Sequence, residues 1–167
     1  MPLSDHSGMF STAAVCLNGH VATPDVETHG ARLSKFCSTC GSEVITACPS
    51  CKAPIRGFYI PPGVTGVGGV FKSLPSFCFQ CGQPFPWTAE KIEAAKSLAD
   101  ELENLSAEDR AALKIAIDDV AGGGPRAEAG AARLKRMLGK ATTTAGKALY
   151  KIVVDVASEA AKKMLLG

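Results

Sequence analysis

Two Cys-x-x-Cys pairs flank a short apolar run in the segment Cys37-Ser-Thr-Cys40-Gly-Ser-Glu-Val-Ile-Thr-Ala-Cys48-Pro-Ser-Cys51. Two cysteines three positions apart can converge on one metal ion, and Zn²⁺ prefers thiolate and imidazole ligands. Gly follows the first pair, where the tight turn favours a positive φ, and Pro49 stiffens the second pair. The run Val44-Ile45-Thr46 predicts a strand between the two turns. The segment therefore indicates a small β structure that is held together by metal.

We call each such pair of candidate ligands a half-site, because two pairs make one four-coordinate site. Two further half-sites lie on either side of this segment. Cys16-Leu-Asn-Gly-His20 precedes it, and Cys78-Phe-Gln-Cys81-Gly follows it. Together the half-sites use all seven cysteines and one histidine, which is enough for two four-coordinate Zn²⁺ ions. A site that is filled by protein ligands has no open position for a reactive water, so we expect structural zinc and no enzymatic activity. The predicted ligands are Cys16, His20, Cys37, Cys40, Cys48, Cys51, Cys78 and Cys81.

The pairing of the half-sites has two alternatives. Sequential pairing assigns Cys16/His20/Cys37/Cys40 to one ion and Cys48/Cys51/Cys78/Cys81 to the other, which gives two tandem zinc ribbons. Interleaved pairing gives a cross-braced module like a RING domain. We favour sequential pairing because it closes shorter loops and therefore costs less chain entropy. His29 is an alternative to His20 as the nitrogen ligand.

Composition argues against a disulfide framework and a membrane span. Seven cysteines are an odd number, and no basic and apolar leader opens the sequence, so we expect a cytoplasmic protein. No apolar run approaches the roughly 18 residues that a transmembrane helix needs. The formal charge of +2 becomes −1 when seven thiolates bind two Zn²⁺ ions, which removes a whole-chain basis for nucleic-acid binding.

The chain changes character near residue 87. Every Cys and every His precedes that point, and the rest is rich in Ala, Lys, Glu and Leu. We predict a disordered tail over residues 1–11, a double zinc-ribbon domain over 12–87 and an α-helical region over 88–167, with a Gly hinge at 122–124. The predicted fold class is thus a small metal-stapled β domain followed by an all-α region of about four helices.

Periodicity and capping residues predict where those helices lie. Thr88 is expected to cap a first helix over about 89–104, and Ser106 a second over about 107–121. A third is expected over about 126–139 and a fourth over about 145–165.

The segment 61–73 is glycine-rich and ends in Lys72-Ser73, as a phosphate-binding loop does. However, Phe71 stands where a Walker motif needs Gly, and Leu74-Pro75 replaces the helix that should follow. We interpret the segment as a loop inside the second ribbon.

Charge reverses along the helical region. Residues 88–121 carry nine acids and four bases, a net −5, whereas residues 122–167 carry nine bases and three acids, a net +6. The bases concentrated in 126–140 form a solvated helical face, pair with the acidic segment, or contact nucleic acid or an acidic protein. The wide apolar arc of the last helix predicts internal packing, an interface for a protein partner or a second copy, or an amphipathic helix on a membrane surface; the last is less favoured because Tyr150 is its single aromatic residue. The bases within 126–140 are Arg126, Arg133, Lys135, Arg136 and Lys140.

The half-sites also carry a resemblance. Their order, ending in Cys-x-x-Cys-Gly-x-Pro-Phe-Pro-Trp-Thr, resembles a family of uncharacterised bacterial proteins with two tandem zinc ribbons and a helical C-terminal region. The similar stretches are residues 16–51, 55–57, 78–88 and 158–163. The resemblance implies a bacterial cytoplasmic zinc protein and supplies no activity.

These observations favour a non-enzymatic adaptor that uses structural zinc to present a surface to a protein partner. The first alternative is a nucleic-acid-binding zinc-ribbon protein that uses the basic segment 126–140. The second alternative is a RING-like adaptor, which requires interleaved ligands.

Overall fold

The computed structural model describes residues 8–63, 71, 73–139 and 143–167. The chain divides into two compact units, of which one ends at Trp87 and the other begins at Thr88. Short strands and turns make up the first unit, and helices make up the second. The predicted fold class, a small β region with two cysteine groups followed by helices, is confirmed.

The described part of the first unit contains two small antiparallel sheets. Its elements are β1 (Met9–Thr12), β2 (Ala14–Cys16), β3 (Val21–Thr23), α1 (Val26–His29), the 3-10 turn Gly30–Arg32, β4 (Val44–Ile45) and β5 (Arg56–Ile60). In one sheet, strand β2 lies between β3 and β4; in the other, β1 pairs with β5. Asp25 caps the short helix α1 by accepting a hydrogen bond from the backbone N–H of Thr28.

Strand β1 corrects part of the predicted N-terminal tail. Met9 pairs with Ile60 and Phe10 with Tyr59, so residues 9–11 lie in a sheet and not in a disordered segment. The partner strand, β5, is about fifty residues away in sequence, and no local sequence pattern predicts the pairing. Residues 1–7 of the predicted tail, and residues 64–70 and 72 of the predicted loop, lie outside the described residues.

A compact apolar core lies between the strands and the cysteine turns of the first unit. The rings of Phe85 and Trp87 stack with centroids 4.7 Å apart, and the indole N–H of Trp87 donates to the carbonyl oxygen of Pro75 at 3.0 Å. Buried indole groups need such a partner. The buried members of this core are Ala13, Val15, Cys48, Ile55, Cys78, Phe85 and Trp87.

Five helices follow in the described part of the chain: α2 (Pro86–Asp100), α3 (Ala107–Gly122), α4 (Ala127–Leu138), α5 (Thr144–Val156) and α6 (Glu159–Leu166). The first and the last of the expected helices differ from the structure. Helix α2 begins at Pro86, a residue suited to the first helical position, so Thr88 lies inside the helix and does not cap it, and the helix ends at Asp100 and not near residue 104. Ser106 caps α3 as predicted, accepting from the N–H of Asp109. The expected fourth helix is two helices, because Ala157 is extended and Ser158 caps a new one.

The apolar arc of the C-terminal helices is used inside the second unit. Leu149 and Val153 of α5, and Ala161 and Leu165 of α6, are buried in one core with residues of α2, α3 and α4. Gly123 adopts φ +67° after α3, and the backbone N–H of Ser158 donates to the Val120 carbonyl at 3.2 Å. Among the described residues, no helix combines the length and the apolar character that crossing a membrane requires.

Candidate metal centres

The first metal group, Cys16, His20, Cys37 and Cys40, converges at the end of strand β2 and the turn before β4. The sulfurs of Cys16 and Cys40 lie 3.7 Å apart. The Nδ1 atom of His20 lies 3.5 Å from the sulfur of Cys16, 3.3 Å from that of Cys40 and 3.8 Å from that of Cys37. Histidine therefore faces this group with Nδ1.

The second metal group, Cys48, Cys51, Cys78 and Cys81, is built from two Cys-x-x-Cys turns. The sulfurs of Cys48 and Cys81 lie 3.8 Å apart, and those of Cys51 and Cys78 lie 3.6 Å apart. In both groups all four ligand atoms lie within 4.8 Å of one another.

These separations fit a tetrahedral metal site. With Zn–S bonds of about 2.3 Å, neighbouring sulfurs in a tetrahedron lie about 3.8 Å apart, and a sulfur and a histidine nitrogen about 3.6 Å apart. A disulfide would bring two sulfurs to about 2.0 Å, which none of the measured pairs approaches. The residues therefore form two groups, one Cys/His/Cys/Cys and one Cys₄, that are compatible with metal binding.

The grouping follows the sequential alternative. Each group combines half-sites that are neighbours in sequence, so the interleaved arrangement that the RING-like alternative requires is not observed. His29 lies on α1, with its Nδ1 at 3.3 Å from the carbonyl oxygen of Asp25, and is in neither group.

Three of the half-sites share one backbone design. The N–H of the first cysteine donates to a carbonyl five residues on: Cys37 to Ser42, Cys48 to Ala53 and Cys78 to Gln83. An antiparallel bridge closes each turn just outside these bonds. This design aims backbone N–H groups at the sulfurs, which stabilises thiolates and orients them as ligands.

Each of these turns contains one residue with positive φ. Gly41 (φ +73°) and Gly82 (φ +72°) occupy that position in two turns, as the sequence predicts, but Lys52 (φ +66°) occupies it in the third. Left-handed backbone costs a residue with a side chain about 1–2 kcal/mol. The turn after Cys48 is therefore the strained one of the three.

Exchanging residues at this position should shift stability in opposite directions. We expect Lys52→Gly to raise the free energy of unfolding of the first unit by up to about 1 kcal/mol, and Gly82→Ala to lower it by a similar amount. A Cβ on Gly82 would have no atom within 4 Å, so backbone conformation is the sole cause. Denaturant unfolding at fixed free zinc, followed by fluorescence of the single tryptophan, measures both; the same sign for both variants would contradict the prediction.

Backbone N–H groups lower the pKa values of some of these thiols, and the pKa values of other thiols are raised. Donation from the backbone N–H of Ser42 lowers the pKa of the Cys40 thiol to about 6, and donation from Cys51 lowers the pKa of Cys48 to about 6. Burial raises the pKa of Cys16. Thiols with lowered pKa values are ready metal ligands at neutral pH, because less free energy is spent on deprotonation.

Comparison with known proteins identifies the family. The model of a family described as "Uncharacterized protein conserved in bacteria (DUF2321)" matches residues 9–165. The chain belongs to DUF2321. This confirms the resemblance that the half-sites carry, and the DUF2321 match extends over both units. No curated protein and no solved structure matches the chain.

One feature of this DUF2321 member was not predicted from the sequence. The guanidinium carbon of Arg56 lies 4.6 Å from the ring centroid of Phe10 and 4.1 Å from that of Phe79, so the side chain is held between two rings. Tyr59 contacts Phe10 with ring centroids 5.2 Å apart. We call these four residues the aromatic surface. Phe79 lies inside the turn Cys78–Cys81, a position that suggested only a metal half-site.

Proposed function

We propose that the chain is a zinc-binding adaptor without catalytic activity, in which the aromatic surface of the first unit binds a protein partner. Zinc is the metal because sulfur-rich tetrahedral groups favour it, and because four protein ligands per ion describe a structural site. Each of the two groups brings four protein ligand atoms together, which supports this assignment.

The observation that carries the partner proposal is the exposure of ordered aromatic side chains. Phe10 is 43% exposed, Tyr59 38% and Phe79 47%, although all three are large and apolar. Interface hot spots are enriched in aromatic residues and arginine. The aromatic surface combines both kinds.

Metal binding would give this surface its rigidity. Phe79 lies between two cysteines of the second metal group and Phe10 lies in β1, so two separate elements hold the guanidinium of Arg56 between their rings. A side chain that is already ordered loses less conformational entropy when a partner binds. Zinc thus supports binding indirectly.

Quantitative pull-downs from the native bacterium test this proposal. We expect a partner retained by the tagged full chain to be lost from Phe79→Ser, since truncating a central hot-spot residue costs about 2 kcal/mol or more, roughly thirtyfold in affinity. Ile115→Ser is the matched control, because Ile115 is a 55% exposed apolar residue in helix α3. Equal recovery of every protein by both variants would refute the proposal.

Nucleic acid is the second candidate, because aromatic side chains and arginine also stack on bases. The basic segment supports it less. Arg126 pairs with Asp119 at 3.3 Å, and Lys135 donates to the carbonyl oxygen of Met164 at 3.4 Å, so two of its cations are used within the second unit. Binding of labelled single-stranded DNA that weakens steeply with salt and with Phe79→Ser would favour this candidate over the adaptor.

A further inference from the structure

We propose that the first unit contains a binding site for a small organic anion, in the cavity between the first metal group and helix α1. The ligand class is a molecule with a carboxylate or phosphate head and an aromatic or aliphatic body. This site is separate from the aromatic surface, with which it shares no residue, and it does not depend on the adaptor function.

The cavity has the size and walls of a small-molecule site. Its volume is about 590 Å³, within the range of about 300–1,000 Å³ that is usual for such sites. Leu33, Phe36 and Phe58 contribute apolar surface on which a ligand body can pack. The 3-10 turn after α1 and the turn of Cys37 both contribute to the wall.

The polar groups of the wall are hydrogen-bond donors. Arg32 supplies a guanidinium, and Ser34, Ser38 and Thr39 supply hydroxyls. His20 faces the first metal group with Nδ1, which leaves its Nε2–H as a further donor when a metal is bound. Donors of this kind, arranged around an apolar pocket, match the acceptor oxygens of a carboxylate or phosphate.

No acidic side chain competes for these donors. Among the described residues that line the cavity there is no Asp or Glu. The two acids of the neighbouring α1 segment are engaged elsewhere: Asp25 accepts from Thr28, and Glu27 accepts from the backbone N–H of Thr12 at 2.9 Å. The salt bridges found in the described part of the chain do not include Arg32.

Arg32 and the hydroxyl donors, and not the net charge of the surroundings, select an anionic head. Three thiolates and one Zn²⁺ carry a net −1, and Cys37 lies in the wall. Arg32, which also lies in the wall, offsets this charge with +1.

Amide-resolved NMR titrations of the zinc-loaded full chain test the site. The complete probes are phenyl phosphate and benzoate, which carry both an anionic head and an aromatic body. The partial probes are inorganic phosphate, which is a head alone, and benzyl alcohol, which has the body without an anionic head. We expect saturable shifts at the cavity residues with at least one of the two complete probes, at least about tenfold tighter than with either partial probe. The ratio of the dissociation constants of phenyl phosphate and benzoate shows whether the site prefers a phosphate or a carboxylate head.

Two variants test the contacts of the head and of the body separately. Arg32→Gln should weaken binding of the complete probe about tenfold, whereas Lys52→Gln, which removes a cation outside the cavity wall, should leave it unchanged. Phe36→Ser should weaken the complete probe without changing the affinity for inorganic phosphate. The proposal is overturned by shifts that do not saturate up to about 10 mM of any anion, by shifts away from the cavity, or by wild-type affinity in Arg32→Gln.

Discussion

Treatment with a strong chelator should unfold the first unit and leave the second unit helical. The first unit has a small core, and two of its seven buried residues, Cys48 and Cys78, are themselves members of the second metal group. Structural zinc contributes on the order of 10 kcal/mol to the folding of small domains, which exceeds what such a core supplies. The second unit has its own core and contains no cysteine.

Two signals distinguish the units in one sample. Fluorescence of Trp87, the single tryptophan, reports on the first unit, and far-UV circular dichroism reports mainly on the helices of the second. We expect native mass spectrometry to find two zinc ions per chain before treatment and none afterwards. Unchanged tryptophan fluorescence and unchanged amide dispersion after loss of both ions would contradict the structural role of the metal.

Single ligand variants provide the control. Cys48→Ser should release the ion of the second metal group and lower the stability of the first unit by several kcal/mol, since one missing ligand opens a closed site. Ser50→Ala changes a residue between the same two cysteines without removing a ligand, and should keep both ions. Equal metal content in the two variants would exclude Cys48 as a ligand.

The metal groups could be predicted from the sequence because their signals are local. A Cys-x-x-Cys turn and its following glycine specify a backbone shape within six residues, and short loops then favour pairing of neighbouring half-sites. The start of α3 could also be predicted from a local signal, because Ser106 is a capping residue and does cap the helix. The predicted start of α2 was wrong. Thr88 was expected to cap the helix, but the helix begins two residues earlier, at Pro86.

The features that escaped prediction are non-local. Strand β1 exists because Met9 and Phe10 find partners in β5, and Arg56 is ordered because it meets rings from residues 10 and 79. Sequence spacing carries no information about contacts over such separations. The break at Ala157 likewise depends on packing, since it lets residues of both α5 and α6 enter one core.

Gly57 in β5 should be a sensitive position of the first unit outside the metal groups. A Cβ there would lie 1.9 Å from the backbone carbonyl oxygen of Pro24 and 2.8 Å from the Ser11 hydroxyl oxygen. These groups form a tight set: the Ser11 hydroxyl donates to the Pro24 carbonyl at 2.7 Å, and the backbone N–H of Phe58 donates to the same hydroxyl at 2.8 Å. A methyl group can be accommodated only if β5 and the chain at Pro24 move apart.

We expect Gly57→Ala to destabilise the first unit by about 3 kcal/mol, the upper part of the range for overpacked sites. Gly122→Ala is the matched control, because a Cβ at Gly122 meets no atom within 4 Å and its φ is ordinary, so its stability should stay equal or rise slightly. Denaturant unfolding of the zinc-loaded chain measures both: Trp87 fluorescence follows the first unit for Gly57→Ala, and far-UV circular dichroism follows the second unit, which contains Gly122. The cost at Gly57 comes from lost space and not from backbone conformation, since its φ is also ordinary. Adding Ser11→Ala to Gly57→Ala should therefore restore little of the lost stability, because the nearer obstacle is the carbonyl of Pro24. Full restoration of the wild-type stability by Ser11→Ala would contradict this and show that the Ser11 hydroxyl causes the clash.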